Sequence, residues 1–171
     1  EASRTFGSST IVVAIEAIRQ RDGSYLAYTD NGREYTGKDV LTWAKEVEER
    51  NAGEILLTSI DRDGTGDGFD NELINMVSSA VTIPVIAHGG ASRVSHIAET
   101  INIAGADSVA IASMLHYSTI KRNGSLTDKF DDEGNTEFLK KKSSFKVFGS
   151  GNLLDIKKIL NRQNIQMRIL N

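Results

Sequence analysis

Cysteine is absent from this sequence of 171 residues. The chain can therefore form no disulfide, no thiolate metal site and no cysteine nucleophile, which fits a reducing cytoplasm. An excess of charge is also lacking, because 20 Lys and Arg stand against 23 Asp and Glu. The net charge of −3 predicts no general attraction to nucleic acid or to an anionic membrane. No apolar run approaches the roughly 20 residues of a membrane span, and no signal peptide is visible, so we expect a cytoplasmic protein.

Histidine is scarce as well, with three residues in the chain. His88, His96 and His116 lack the spacing of metal ligands, so we expect no metal site. We place His96 and His116 in structural or surface positions. The length and the 39% hydrophobic content suit one domain with its own core, residues 1–171. The chain begins at Glu1 rather than Met, and we expect its amino end to be incomplete.

Four short apolar runs predict four parallel strands, each followed by a helix. The strands are predicted at residues 11–16, 55–59, 84–87 and 108–112, and helices at 39–51, 71–80, 92–104 and 153–163. Asp70 and Ser92 are the expected N-caps of the second and third of these helices, and Gly53 is expected to close the first. The last helix would bury Leu154, Ile156, Ile159 and Leu160.

This βα alternation predicts an α/β protein, and four parallel strands with helices on one side make half of a (β/α)8 barrel. A half barrel leaves an uncovered inner face and two strand edges. It should therefore pair with a missing amino-terminal half or with a second copy. The alternative fold is a doubly wound open sheet, which needs a glycine-rich turn after its first strand. The sequence EAIRQ at residues 16–20 has no glycine.

Two segments interrupt the alternation. Residues 25–28 and 33–35 flank Asp30-Asn31-Gly32, and this turn signal predicts an inserted β-ribbon that lies outside the core. Residues 118–151 are polar and long for a βα loop. They predict a flexible insertion before the last helix, either a mobile lid or a disordered loop.

The most informative stretch is GEILLTSIDRDGTGDGFD at residues 53–70, where an apolar strand runs into a loop of Asp, Gly and hydroxyl residues. Together with the residues before it, WAKEVEERNA (43–52), and with FGSSTIVVAIEAIR (6–19), IPVIAHGGAS (83–92) and AGADSVAIASMLH (104–116), it resembles the cyclase subunit family of imidazole glycerol phosphate synthase. The resemblance covers nearly the whole chain except about residues 118–151. It is to the second half of the family's barrel, strands five to eight.

The resemblance implies a subunit of a glutamine amidotransferase complex in histidine biosynthesis. It would take ammonia from a glutaminase partner and act on a phosphorylated small-molecule substrate. The products would be imidazole glycerol phosphate and an aminoimidazole carboxamide ribotide, with no cofactor or metal. One catalytic aspartate and one phosphate site of the family belong to the absent first half, so we expect the isolated chain to be inactive.

Glu16 is the candidate catalytic residue. Period-2 alternation places its carboxylate at the end of the first strand, pointing into the barrel mouth, where it could act as a general acid or base. The family has Asp at this position, so the carboxylate is displaced by about one methylene. The structural alternative is an ion pair with Arg19 or Arg21.

The candidate ligand-binding residues follow the later strands. Asp63 and Gly64 match family positions near substrate. Thr58, Ser59 and Asp61 would support this loop or form hydrogen bonds with polar groups of the substrate. The alternative is that Asp61 and Asp63 only shape a turn. Gly89 and Gly90 after the third strand, with Ala112 and Ser113 after the fourth, resemble a barrel phosphate site made of backbone amides, a hydroxyl and the amino end of a short helix. His88 stands where the family has a small residue and would alter access. The resemblance also assigns Glu54, at the opposite end of its strand, to an ammonia gate.

Two other functions remain open. A paralogue with the same scaffold would channel ammonia toward amidation of a surface sugar, which Glu16, His88 and the 118–151 insertion favour. A non-catalytic half barrel, either a fragment or a phosphate-binding module, is favoured by the absence of the first half.

Overall fold

The computed structural model describes residues 1–123 and 151–168, and in these residues a single sheet of six strands forms the centre of the molecule. The sheet order is β3-β2-β1-β4-β5-β6. The strands are β1 (Val12–Arg19), β2 (Tyr25–Thr29), β3 (Glu34–Asp39), β4 (Glu54–Ser59), β5 (Val85–His88) and β6 (Ser108–Ala110). The helices of the described residues are α1 (Ala2–Phe6), a 3-10 turn (Ser8–Thr10), α2 (Val40–Glu49), α3 (Asn71–Ser78), α4 (Val94–Ala104), α5 (Ser113–Asn123) and α6 (Leu153–Arg162).

Strands β1, β4, β5 and β6 are parallel, which confirms the predicted α/β class. Their two faces differ in burial because the helices cover only one of them. Ile15, Ile55, Leu57 and Val85 are at most 1% exposed and form the core with the helices. The other face, called the open face below, carries alternate residues that are half-buried or exposed, among them Val12 at 50%. A sheet whose second apolar face is uncovered needs another layer to bury it.

The predicted β-ribbon is present as β2 and β3, which pair antiparallel around residues 30–33. It is not outside the core, however. Tyr25 and Ala27 of β2 are 3% and 5% exposed and belong to the central hydrophobic cluster. The prediction was wrong here because a turn signal locates a hairpin but does not tell which of its faces packs. β2 pairs with β1 only over residues 16–19.

The ends of the helices follow local capping chemistry in three places. Asp39 accepts a hydrogen bond from Thr42 N at 2.8 Å, Asp70 from Leu73 N at 3.2 Å, and Asn152 from Asp155 N at 2.9 Å. Each side chain satisfies an amide that has no partner within its helix. The predicted cap Asp70 is therefore confirmed.

Two other predicted helix boundaries were wrong. Helix α4 has Arg93 at its N-cap without a side-chain bond, because the Ser92 hydroxyl donates instead to Gly66 O at 2.6 Å. Helix α2 ends before Asn51, whose φ is +62°, and Gly53 has another role. A Cβ on Gly53 would lie 2.3 Å from Ser8 O, so this glycine permits a close backbone approach.

Helices near the carboxyl end differ from the sequence interpretation. The resemblance implied a short helix at the phosphate site, but residues 118–123 were assigned to the insertion, whereas helix α5 continues through Asn123. The remainder of the predicted insertion, 124–150, lies outside the described residues. In α6, Ile156 and Leu160 are buried, but Leu154 and Ile159 are 44% and 38% exposed, contrary to the expected burial of all four. None of the helices in the described residues is long and apolar enough to cross a membrane.

Candidate functional site

A pocket opens at the carboxyl ends of the parallel strands β4, β5 and β6. It encloses about 260 Å³, counting the open space at its mouth. Most of its walls are backbone and small side chains, contributed by the residues that follow each strand. The lining residues are Asp63, Gly64, Gly66, His88, Gly89, Gly90, Ala91, Ala110, Ile111, Ala112 and Ser113. Sites of parallel α/β proteins lie at this end of the sheet.

The turn after β5 depends on Gly89 and Gly90. Their φ angles are +96° and +97°, a region that side-chain-bearing residues rarely adopt. A Cβ on Gly89 would lie 2.7 Å from Ser59 O, and one on Gly90 would lie 2.2 Å from Gly68 O. The turn therefore packs directly on the loop after β4, and the Gly68 amide donates to Gly90 O at 2.8 Å. The two loops form one continuous backbone wall.

The loop after β4 is held from both sides. Asp61 Oδ2 accepts a hydrogen bond from Arg19 N at 2.7 Å, which ties the loop to the end of β1. Asp61 is thus a structural anchor and does not line the pocket. Asp63 is exposed and lines the pocket next to Gly64. Gly64 has a φ of +73°, and a Cβ at this position would meet no atom within 4 Å. This placement brings the two residues to the wall where the sequence interpretation expected a ligand.

Ala112 and Ser113 supply the opposite wall, where β6 leads into α5. Ser113 is the first residue of this 11-residue helix, and Ala112 O accepts the first helical hydrogen bonds, from Leu115 N and His116 N. Amides in the first turn of a helix have no intrahelical partner, and the helix dipole favours negative charge there. With the glycine turn, this wall can bind a phosphoryl group through backbone donors and a hydroxyl.

Thr58 and His88 form a cross-strand pair on the open face. They are directly opposite each other in the β4–β5 register, and Thr58 Oγ1 lies 3.1 Å from His88 Nδ1. His88 lines the pocket, whereas Thr58 does not. This contact could not be predicted from the sequence, because it depends on the alignment of two strands whose paired residues are 30 positions apart.

Glu16 is not at the end of its strand as predicted. β1 continues to Arg19 because the ribbon supplies an antiparallel partner from Glu16 onward. The Glu16 carboxylate lies on the open face, does not line the pocket, and accepts a hydrogen bond from Gly32 N at 2.9 Å through Oε2. The alternative ion pair with Arg19 is also not observed, since Arg19 binds Glu72 at 2.9 Å.

Glu54 begins β4, at the end of the sheet opposite the pocket. It is half-buried and lies opposite Val12 of β1. Within the part of the chain that the structure describes, its carboxylate makes no ion pair or side-chain hydrogen bond. Glu54 is thus the first residue of β4, whereas Asp63 lies in the loop that follows the strand.

Two buried polar groups that the sequence interpretation did not assign to the site support the pocket loops. His96 is 6% exposed, and its ring lies 3.5 Å from the position of a Cβ on Gly68. Its Nδ1 lies 3.4 Å from Ser92 N and its Nε2 lies 2.7 Å from Arg93 Nε. Because a neutral imidazole has one acceptor nitrogen, the shorter contact, from Arg93 Nε–H to Nε2, is the one that we assign as a hydrogen bond. Burial, assisted by the Arg93 charge, lowers the pKa of His96. The ring is therefore held in its neutral form beneath the loop.

Tyr25 is the second group. Its hydroxyl lies 3.1 Å from both carboxylate oxygens of Asp70, which also caps α3. Burial and the Asp70 charge raise the pKa of Tyr25, so the hydroxyl remains a donor. Arg19 stacks 5.6 Å from the ring centroid. The contact fastens the ribbon to the end of the loop that follows β4.

Among the described residues, no group of three or more His, Cys, Asp or Glu is placed so that it could hold a metal ion. The pocket walls contain no Lys or Arg. The polar groups that these walls offer to a ligand are backbone amides, the Ser113 hydroxyl, the His88 ring and the Asp63 carboxylate.

A glycine-lined pocket at the carboxyl ends of parallel βα units is typical of phosphate-binding (β/α)8 barrel proteins. Comparison with known sequences shows which family the chain belongs to. Residues 1–121 match the profile of the histidine biosynthesis protein family, and the chain belongs to this family. All four stretches that carried the resemblance lie within the matched residues, which confirms it.

One relative in this family is the imidazole glycerol phosphate synthase subunit HisF of Pyrobaculum aerophilum. It is 56% identical over 118 residues, which cover 69% of this chain and 46% of the relative. The chain thus matches about half the length of this curated relative.

Proposed function

We propose that this chain is the second half, strands five to eight, of the barrel of an imidazole glycerol phosphate synthase cyclase subunit. The observation that carries the proposal is the pocket at the ends of β4, β5 and β6. Asp63, Gly64, Gly89, Gly90 and Ser113, which the resemblance assigns to substrate, all line it. The similarity to HisF supports the same assignment.

In the proposed reaction, ammonia from a glutaminase partner enters at the amino end of the strands, where Glu54 stands, and moves toward the pocket. It reacts there with a bisphosphorylated ribonucleotide intermediate to give imidazole glycerol phosphate and an aminoimidazole carboxamide ribotide. The pocket binds one phosphate of this substrate. Glu54 at the first residue of β4 and Asp63 in the loop after β4 support a path from one end of this strand to the other.

Proton transfer in this scheme falls to Glu16. Its Oε2 is held by Gly32 N at 2.9 Å, while Oε1 makes no hydrogen bond within the described residues. Glu16, Thr58 and His88 share one level of the open face, because they are aligned across three neighbouring strands. A fixed carboxylate with one free oxygen is suited to act as a general acid or base on a substrate that lies across this face.

The proposed half barrel is completed by another half. The open face, with Val12 50% exposed, supports this because a second layer would bury it. Residues 12–15 of β1 have no partner strand on the ribbon side among the described residues. Unpaired edges of this kind are satisfied by adding a strand.

The test is ammonium-dependent turnover of the bisphosphorylated ribonucleotide. The 171-residue chain is assayed alone and after mixing with the first half of the Pyrobaculum aerophilum subunit, produced as a separate chain. We expect no turnover by the chain alone and measurable turnover by the mixture. Turnover by the chain alone would refute the need for a first half. A mixture that co-purifies as a compact complex yet remains inactive would refute the cyclase function.

A paralogous subunit that supplies ammonia for amidation of a surface sugar is the second candidate. The observation that favours it is the bond between Glu16 and Gly32, with His88 in the pocket. The same mixture offered the sugar acceptor instead of the ribonucleotide distinguishes the two. A non-catalytic module is the third candidate, and a stable dimer of this chain by light scattering, with no turnover of either substrate, would support it.

A further inference from the structure

His88 ends β5 and lines the pocket, and one edge of its ring is already held. Nδ1 lies 3.1 Å from Thr58 Oγ1, and this contact joins two strands in direct register. The second ring nitrogen, Nε2, makes no hydrogen bond with any residue that the structure describes. The residue is half-buried, so the ring is restrained while Nε2 remains available to a ligand.

The charge of the pocket walls makes this nitrogen important. Among the lining residues, all within the described ranges, Asp63 carries a negative charge and His88 alone can carry a positive one. The glycine amides and the Ser113 hydroxyl are neutral donors. A phosphoryl dianion near a carboxylate is disfavoured unless a charged or strongly polarised donor offsets the repulsion.

We propose that His88 is a specificity-determining residue of the pocket, and that its Nε2–H donates a hydrogen bond to an anionic oxygen of the ligand. The inference rests on the phosphate pocket of the proposed function and adds a side-chain donor to it. His88 would thereby favour a phosphoryl group over a neutral group of similar size.

Thr58 would act as a positioning residue, through the ring. If its hydroxyl donates to Nδ1, the single proton of the neutral imidazole is on Nε2 and faces the ligand. If the imidazole is cationic, Nδ1–H donates to Thr58 Oγ1 and Nε2–H still donates to the ligand. Both arrangements present the same donor, so an anionic ligand selects them over the tautomer that would offer a lone pair.

The experiment measures the Kd of the full 171-residue chain for inorganic phosphate by ³¹P NMR titration. The side-chain amide of asparagine can reach the position of His88 Nδ1 but not that of Nε2, whereas the longer glutamine side chain can place its amide near the position of Nε2. We expect H88N to weaken binding by about 10- to 100-fold, the range for losing a hydrogen bond to a charged group. H88Q should lose less affinity than H88N, and T58V should fall between the wild type and H88N. H116Q, which removes an exposed histidine from α5, is the matched control and should bind as the wild type does.

A second measurement on the wild-type chain does not depend on variants that fold. The ¹⁵N shift of His88 Nε2, read from long-range ring correlations, should move on addition of phosphate more than that of Nδ1. Sulfate at the same ionic strength should compete, and the neutral ligand glycerol should produce no shift. If the wild type binds no phosphate, the pocket itself fails and the proposed function with it. If the wild type binds phosphate but H88N binds equally well and Nε2 does not respond, the role of His88 alone is overturned.

Discussion

Replacing Gly90 with alanine tests whether the backbone contact between the two pocket loops holds the site together. At its φ of +97°, a Cβ would lie 2.2 Å from Gly68 O. Left-handed backbone costs an L-residue about 1–2 kcal/mol, and relief of an overpacked contact adds about 1–3 kcal/mol. We therefore expect G90A to lower the free energy of unfolding by about 2–5 kcal/mol. The phosphate affinity should fall with it, because the bond from Gly68 N to Gly90 O at 2.8 Å must lengthen.

Gly23 offers a matched control for the backbone strain. Its φ is +89°, close to that of Gly90, but a Cβ there meets nothing within 4 Å. G23A should therefore lose only the strain of about 1–2 kcal/mol and leave the pocket intact. Urea unfolding followed by circular dichroism gives both free energies, and ³¹P NMR gives phosphate binding. If G90A and G23A were equally stable and both bound phosphate like the wild type, the proposed clash would be refuted.

Three further substitutions test other contacts. Y25F removes the hydroxyl that donates to Asp70 and should destabilise the chain by about 1–3 kcal/mol in urea, since a hydrogen bond to a charged, buried group is lost; an unchanged midpoint would show that the contact contributes nothing. The pKa of His96 is lowered in the folded state, so the unfolded chain binds the proton more tightly. The free energy of unfolding should therefore keep its full contribution from neutral His96 above about pH 6.5 and decrease as the pH falls below this value. H96Q should flatten this dependence between about pH 7.5 and 5.5, and identical slopes for both proteins would contradict the assignment. S113D places a negative charge in the pocket wall and should weaken phosphate binding at least several-fold in an ³¹P titration, without a comparable loss of stability; wild-type affinity would argue against an anion site there.

The parallel strands could be predicted because each is encoded by a short stretch of local sequence. The β-branched run before Glu16 and the apolar run before Thr58 are short, bounded and buried on the helix face, as expected for parallel strands. Asp70 could be identified as a cap from its position before an apolar periodic segment. The glycines and the aspartate that line the pocket could be identified because they belong to short sequence motifs whose backbone conformations require glycine.

What the sequence could not reveal depends on contacts between distant segments. β1 extends beyond Glu16 because β2 pairs with it from this residue onward. From local sequence alone, the polar Glu16 after an apolar run is interpreted as the end of the strand. The Ser92 hydroxyl satisfies Gly66 O rather than capping its own helix, a choice made by loop packing. The extent of helix α5 was missed because its residues lack a clear apolar period; among its residues 113–119, Met114 and Ser118 are buried.

The sheet order has a consequence for how the chain acquires its structure. In the order β3-β2-β1-β4-β5-β6, hairpin turns join β3 to β2 and β2 to β1, and single helices join β4 to β5 and β5 to β6. The ribbon and α2 together join β1 to β4. Paired strands are therefore close in sequence, and the entropic cost of closing the loop between two paired strands is small for each pair. Among the described strands β6 forms one edge of the sheet, and a further strand could pair with it there.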